Sequence, residues 1–189
     1  MQSRWNGIAW TAIVLVGALL AAPAAAGKPL SQAELNHGYA SLYQAARGLR
    51  HSDKIFLVKF ESDAVQGVVE DLSGSMDRIA EDLQALAAAD PRVKLDDDGN
   101  AEIEKRKREA VTRDRLMGFK PITGRTGRDF ERTLLLSHSG ALNQLQFLVS
   151  ELDAADPDPQ RSAMLQRTHR TVVRLYGEVV ALLEREYFR

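Results

Sequence analysis

The sequence predicts an all-α four-helix bundle of up-down-up-down topology, with a long charged connection between the second and third helices. Three observations support this prediction. Apolar residues recur at spacings of 3 and 4 over four segments, which places an apolar stripe on one face of each helix. Prolines and turn-forming residues separate these segments. No stretch of useful length alternates polar and apolar residues in the way a half-buried strand does.

The first 26 residues are expected to be a cleavable signal peptide that does not contribute to the fold. Arg4 gives a positive start, residues 8–22 are almost wholly apolar, and Pro23 precedes an alanine run at residues 24–26. A membrane anchor is the alternative, because residues 8–26 carry no charge. The missing basic cluster behind this segment favours cleavage, so no stable membrane span should remain. Residues 27–189 would then form a single exported domain, periplasmic or secreted.

The first helix is predicted over residues 31–50. Ser31 followed by Glu34 forms a capping box, which is a signal for a helix N-terminus. Its apolar stripe consists of Leu35, Tyr39, Leu42, Ala46 and Leu49.

The second helix is predicted to be the longest, over residues 53–89, and to organise the bundle. Ser52 could cap it, or the first two helices could run together with a bend near Gly48. Asp90 and Pro91 should end it, because proline disfavours the helical conformation in the residue before it. Ser62 is the one polar member of its stripe, which comprises Ile55, Val58, Ser62, Val65, Val69, Leu72, Met76, Ile79, Leu83 and Leu86.

The connection that follows, at residues 90–128, is long, and long connections with some structure often carry function. Residues 95–100 and 118–127 are rich in turn-forming residues, whereas residues 102–116 are highly charged and predict a short surface helix. Asp96 to Asn100 does not fit a calcium-binding EF-hand loop, which requires glycine where Ala101 stands and glutamate where Lys107 stands.

Two further helices are predicted after this connection. Asp158, with Pro159 at the first helical position, should start the fourth helix after the break at residues 156–159. The stripe of the third helix is Phe130, Leu134, His138, Ala141, Leu145, Leu148 and Leu152. The stripe of the fourth is Leu165, His169, Val172, Tyr176, Val179 and Leu183.

The long connection is strongly basic, whereas the second helix is acidic. The positive charge of the connection therefore predicts a site for a phosphate-bearing or acidic partner. The alternative is that the connection lies across the acidic helix as a solvated charge match. Nucleic acid is not expected as a partner, because the protein is exported and no aromatic residues interleave with the basic ones. The candidate anion-binding residues are Lys105, Arg106, Lys107, Arg108, Arg113, Arg125 and Arg128.

Two histidines suggest a second possibility, a metal or haem site. His138 and His169 both occupy apolar stripes on helices that should be antiparallel neighbours, and Met76 could supply a third ligand. A Met/His pair in an exported four-helix bundle resembles soluble b-type cytochromes in architecture. In that family the ligands lie near opposite chain ends, which Met76 does not satisfy. We expect both histidines to be structural, in one interior layer, each bonded to a nearby Ser, Thr or carboxylate.

The function predicted from the sequence is therefore non-catalytic binding or scaffolding. The partner would be a protein or an anionic component of the cell envelope, and no cofactor is expected. An enzyme is not predicted, because no nucleophile, general base and orienting group can be placed together. The alternative function is a metal- or haem-binding four-helix bundle. The chain has no cysteine, so packing rather than disulfides must stabilise the exported domain.

Overall fold

The computed structural model describes residues 30–57, 62–96 and 127–188, and within these ranges the protein is all-helical with four α-helices and no strand. The predicted signal peptide and most of the basic connection lie outside the described residues. The α-helices are α1 (Gln32–Leu49), α2 (Asp63–Ala89), α3 (Gly127–Ala155) and α4 (Pro159–Tyr187). A short 3-10 helix, Ser52–Leu57, follows α1.

The local signals for helix ends are confirmed. The Ser31 amide donates to Oε2 of Glu34 at 2.7 Å, and the Glu34 amide donates back to the Ser31 hydroxyl, which is the predicted capping box. The carboxylate of Asp158 accepts from the Gln160 and Arg161 amides at the start of α4, where Pro159 occupies the first turn. Helix α2 ends at Ala89 before Asp90. These features depend on residues within three positions of one another.

The prediction of a single helix over residues 53–89 is wrong in its first part. The α-helix begins only at Asp63, and Ser62 is its N-cap rather than a member of the buried stripe. Ser52 begins the 3-10 helix, so it does not cap α2, and α1 does not run on into α2. A helix that began at residue 53 would extend well beyond α3 and α4, which have 29 residues each, and its first turns would lack neighbours to pack against.

One end of the bundle is defined by Asp156, and we call it the Asp156 end. Tyr39 of α1 bonds to Asp156, which directly follows α3. Arg161, in the first turn of α4, bonds to both Asp156 and Asp90, the C-cap of α2. The start of α1, the end of α2, the end of α3 and the start of α4 therefore meet here.

The opposite end is defined by Glu131 in the first turn of α3, and we call it the Glu131 end. Oε1 of Glu131 accepts from the Ser62 amide, at the start of α2, at 2.6 Å. Its Oε2 accepts from the hydroxyl of Tyr187, the last residue of α4. Helices α2 and α3 thus begin at the same end and run in the same direction.

The predicted up-down-up-down topology is therefore wrong, and the observed order is up-down-down-up. Helix α1 packs against α2 and α3, and α4 packs against α3 and α2, so each neighbouring pair is antiparallel. The connection from α2 to α3 must link opposite ends of the bundle, separated by the length of α2, roughly 40 Å. This explains why it is so long, and a single long crossover is one of the established ways to join four helices.

The core is apolar and wider than the predicted stripes. Predicted members of α1 and α2 such as Tyr39, Leu72 and Met76 are fully buried. Leu142 and Val149 on α3 and Leu175 on α4, which lie beside the predicted stripes, are also buried, because each helix packs against two neighbours and buries a broader face. Five predicted stripe residues are only half-buried: Leu86, Ala141, Leu148, His169 and Tyr176.

Candidate functional site

A buried ionic network occupies the Asp156 end. The Arg161 guanidinium forms two bonds to the Asp156 carboxylate, from Nε and Nη2, each at 2.8 Å. Its Nη1 donates to Oδ2 of Asp90 at 2.7 Å. The side chain of Arg161 is 4% exposed and that of Asp156 is fully buried. Such a charge is tolerated in the interior only because these bonds satisfy it.

Tyr39 completes the network from α1. Its hydroxyl donates to Oδ2 of Asp156 at 2.7 Å. Burial raises the pKa of Tyr39 well above its usual value, and this hydrogen bond raises it further. Burial alone would raise the pKa of Asp156. The bonds from Arg161, the Asp158 amide and Tyr39 outweigh that effect and hold the pKa of Asp156 below its ordinary value. The carboxylate therefore stays ionised and the phenol stays a donor.

The network continues to the surface through Asp90. Arg92 donates to both carboxylate oxygens of Asp90, at 2.9 and 2.8 Å, and its amide donates to Oδ1. These side-chain and backbone bonds from Arg92, with a further bond from Arg161, hold the pKa of Asp90 well below its usual range. Arg92 also lies 3.4 Å from Oδ2 of Asp158.

The network fixes the segment at residues 90–96 against α1. The Arg92 carbonyl accepts from Nε2 of Gln32 at 3.1 Å, and the Lys94 amide donates to Oδ1 of Asn36 at 3.2 Å. Val93 between them is buried in the core. The chain leaving α2 therefore turns back along α1, toward the Glu131 end.

This turn forms one wall of an open groove of about 530 Å³ beside α1 and α2. The Arg47 guanidinium lies over the Tyr43 ring, 5.6 Å from its centroid, and the Tyr43 hydroxyl accepts from Nε2 of Gln84 at 2.7 Å. The lining residues are Tyr43, Gln44, Arg47, Gln84, Ala87, Val93, Lys94, Leu95 and Asp96. The groove thus combines an aromatic ring and amide groups with two exposed cations, Arg47 and Lys94, and one acid, Asp96.

Of the predicted anion-binding residues, only Arg128 lies within the described residues, and it is at the Glu131 end. Its guanidinium donates to the Glu186 carbonyl and lies 4.9 Å from the centroid of the Tyr187 ring. Arg128 therefore joins α3 to the end of α4, at the opposite end of the bundle from the start of the basic connection. The other predicted residues, Lys105, Arg106, Lys107, Arg108, Arg113 and Arg125, lie outside the described residues.

Two acidic residues of α2 form ion pairs with residues at or in other helices of the bundle. Oδ2 of Asp71 lies 2.6 Å from the Arg174 guanidinium of α4, which also pairs with Glu178. Asp77 lies 3.6 Å from Arg50 at the end of α1. Both pairs are solvent-accessible, so each contributes little to stability by itself.

The structure does not bring the predicted metal-ligand set together. Nδ1 of His138 is 2.7 Å from the Leu134 carbonyl, and the imidazole is buried. His169 is only half-buried and lines a surface notch with Ser150 and Asp153. Ser150 lies three turns beyond His138 on α3, roughly 18 Å along the helix, so the expectation of one shared layer is wrong. Met76 is fully buried in the apolar core.

Residues 30–57, 62–96 and 127–188 hold no group of three or more His, Cys, Asp or Glu side chains placed to bind a metal. No helix among them is long and apolar enough to cross a membrane. The chain matches no protein-family model, and no curated protein or solved structure is significantly similar to it. Its function is therefore argued from geometry alone.

Sequence reasoning missed the network and the groove. The available signal was Arg161, which lies four residues before Leu165 and so falls on the apolar stripe of the fourth helix. A charged residue on a buried stripe predicts a buried partner. The two acids beside the prolines at residues 156–159 were interpreted only as a helix break and a cap.

Proposed function

We propose that this protein is an exported, non-catalytic binding or scaffolding bundle that takes an anionic partner of the cell envelope. The groove beside α1 and α2 and the basic connection would form one continuous binding surface. The observation that carries the proposal is the course of residues 90–96, which directs the chain into a groove lined by Arg47 and Lys94.

Chain length supports this continuity. Lys105 lies nine residues after Asp96, so the cluster at residues 105–108 closely follows the wall of the groove in the sequence. A partner with several negative charges, such as a phosphate-bearing or acidic polymer, could contact Arg47, Lys94 and the cluster together.

The composition of the groove supports a binding role over a catalytic one. Among the described residues, its lining holds no Ser, Cys or His side chain that could act as nucleophile or general base. Tyr43, Gln44 and Gln84 instead provide an aromatic face and amide groups, which suit recognition of a polar chain.

Export is part of the same proposal and is tested separately. We propose cleavage after Ala26 and a periplasmic location. Expression of the full chain in a bacterial host, followed by intact-mass measurement of the periplasmic fraction, should give a mature N-terminus at Gly27. Recovery of a membrane-bound product that still carries Met1 would contradict this part alone.

Anion binding is tested with a fluorescently labelled polyphosphate chain, with labelled neutral dextran as the reference ligand. We expect binding at low salt that weakens steeply as ionic strength rises, because exposed charges are screened beyond about 8 Å at physiological salt. Changing residues 105–108 to serine should abolish binding. The double variant Arg47→Gln/Lys94→Gln should weaken it by about tenfold, a loss of roughly 1.4 kcal/mol.

The matched control is Arg167→Gln/Arg170→Gln, which removes the same number of exposed positive charges from α4. This control should bind polyphosphate almost as tightly as the unmodified protein. Equal weakening in both double variants would show a general effect of net charge and would overturn the proposed site. So would the absence of binding at low salt.

A further inference from the structure

Helix α3 exposes two large apolar side chains on its outer face. Phe147 is 61% exposed and Leu136 is 48% exposed, whereas the inner face of the same helix is buried in the core. Exposed apolar residues on one helix face often mark a contact with another protein. The other residues of this face identify the partner.

The outer face has a symmetric sequence. Six of its exposed residues, Arg132, Leu136, Gly140, Asn143, Phe147 and Glu151, are separated by 4, 4, 3, 4 and 4 positions. At 3.6 residues per turn they fall within an arc of about 100°. The first and last are oppositely charged. The one ionisable residue between them on α3 is His138, which is buried.

This pattern is complementary to itself when the helix is reversed. A two-fold axis crossing α3 between Ala141 and Leu142 would set Leu136 opposite the second copy's Phe147. It would also set Gly140 opposite the second copy's Asn143, and Arg132 opposite the second copy's Glu151. In an isologous contact each such pair occurs twice.

We propose that this face of α3 binds a second copy of the chain in an antiparallel, two-fold symmetric dimer. Charge complementarity is the argument for this occupant, because the symmetry operation brings Arg132 to Glu151 at both edges of the contact. Within one protomer Arg132 pairs with Asp129, 3.1 Å away on the same helix, and both side chains are exposed. The proposal does not depend on anion binding.

Gly140 gives the contact its close approach. A Cβ added there meets nothing within 4 Å among the described residues, so their packing does not require glycine. Glycine inside a helix is less favourable than alanine. In the proposed dimer its missing side chain leaves room beside the axis for the second copy's Asn143.

The contact is small. Residues 132–151 span roughly 28 Å, and stable interfaces bury about 800 Å² on each partner. The face of one helix of this length covers less than that, although Val173, 41% exposed on neighbouring α4, could extend it. The dimer should therefore dissociate on dilution, which makes its equilibrium measurable.

Sedimentation equilibrium of the purified protein over a wide concentration range tests the proposal. Phe147→Lys should weaken dimerisation by at least about tenfold, equivalent to 1.4 kcal/mol. Gly140→Gln should weaken the dimer while leaving the protomer at least as stable, because glutamine has the higher helix propensity. Phe188→Ser, which removes an equally exposed aromatic ring at the chain end, is the control and should have no effect.

A charge exchange tests the register. Arg132→Glu or Glu151→Arg alone should weaken the dimer by about fivefold, because each places like charges together at both edges. The combined variant should restore the original affinity. Failure of this restoration, or a protein that stays monomeric at its highest soluble concentration, would overturn the proposal.

Cross-linking provides an independent check, because the chain has no cysteine of its own. Asn143→Cys lies beside the proposed axis and should give a dimer with a short bis-maleimide. The exposed Ala85→Cys on α2, a helix that packs mainly against α1 and α4, should not. Equal cross-linking of both variants would contradict the proposed interface.

Discussion

The hydroxyl of Tyr39 donates a 2.7 Å hydrogen bond to the carboxylate of Asp156, 117 positions further along the chain. Both residues are buried, and the same carboxylate binds Arg161. One acidic side chain thus joins α1, the end of α3 and the start of α4. The network extends through Asp90 to residues 90–96, so it also positions the wall of the candidate groove.

Tyr39→Phe should destabilise the protein because it removes the donor to a buried carboxylate. Hydrogen bonds to charged groups contribute about 1.5–3 kcal/mol, and we expect a loss in that range by urea denaturation. Tyr43→Phe is the matched control, since its hydroxyl bonds Gln84 at an exposed site. The control should change stability by less than about 0.5 kcal/mol. Similar losses in both variants would contradict a central role for Tyr39.

Arg161→Met should have the largest effect of any single change in the network. It would leave the buried Asp156 carboxylate without its cationic partner, and breaking a buried ion pair costs about 3–5 kcal/mol. Arg161→Lys should fall between this variant and the unmodified protein, because an ammonium group retains the charge but not the planar set of donors. The exposed Arg167→Met serves as control. A loss no greater than that of the control would show that the network does not stabilise the fold.

Acid should weaken the bundle through Asp90 and Asp156. The pKa of each is held below its ordinary value of 3.8 in the folded protein. Their stabilising effect is therefore complete above that value and declines as pH falls toward the folded-state pKa. Asp90→Asn should be less stable than the unmodified protein at pH 7, and this difference should shrink in acid. Melting temperatures measured from neutral to strongly acidic pH would show whether the two curves converge, and parallel curves would contradict the assignment.

Leu72 and Gly74 on α2 should respond oppositely to alanine. Leu72 is fully buried, so Leu72→Ala should cost about 2–5 kcal/mol. Gly74 is exposed, and an added Cβ would come no closer than 4.0 Å to Arg78. Gly74→Ala should therefore stabilise the protein, by up to about 1 kcal/mol. Thermal melts of both variants test the register of α2, and a reversed order would contradict it.

The helical class, much of the buried face of each helix and most helix ends can be predicted from the amino-acid sequence. Three helix-end signals act over three residues or fewer, so a short stretch of sequence is enough to predict each of them. They are the capping box at Ser31, the cap at Asp158 and the helix end at Asp90. The sequence predicts too early a start for α2, because the apolar spacing continues upstream of Ser62. Spacing alone does not reveal how long the neighbouring helices are.

The direction of α3, the neighbours of each helix and the composition of the network depend on how the four helices pack together. An apolar stripe has the same spacing whichever way its helix runs and whichever helix covers it, so the stripes fitted a bundle of either topology. Tyr39 and Asp90 lie far in sequence from Asp156 and Arg161, and Asp90 meets this pair because α2 and α3 run in the same direction. Their bonds depend on distances in space, which no local pattern of residues specifies.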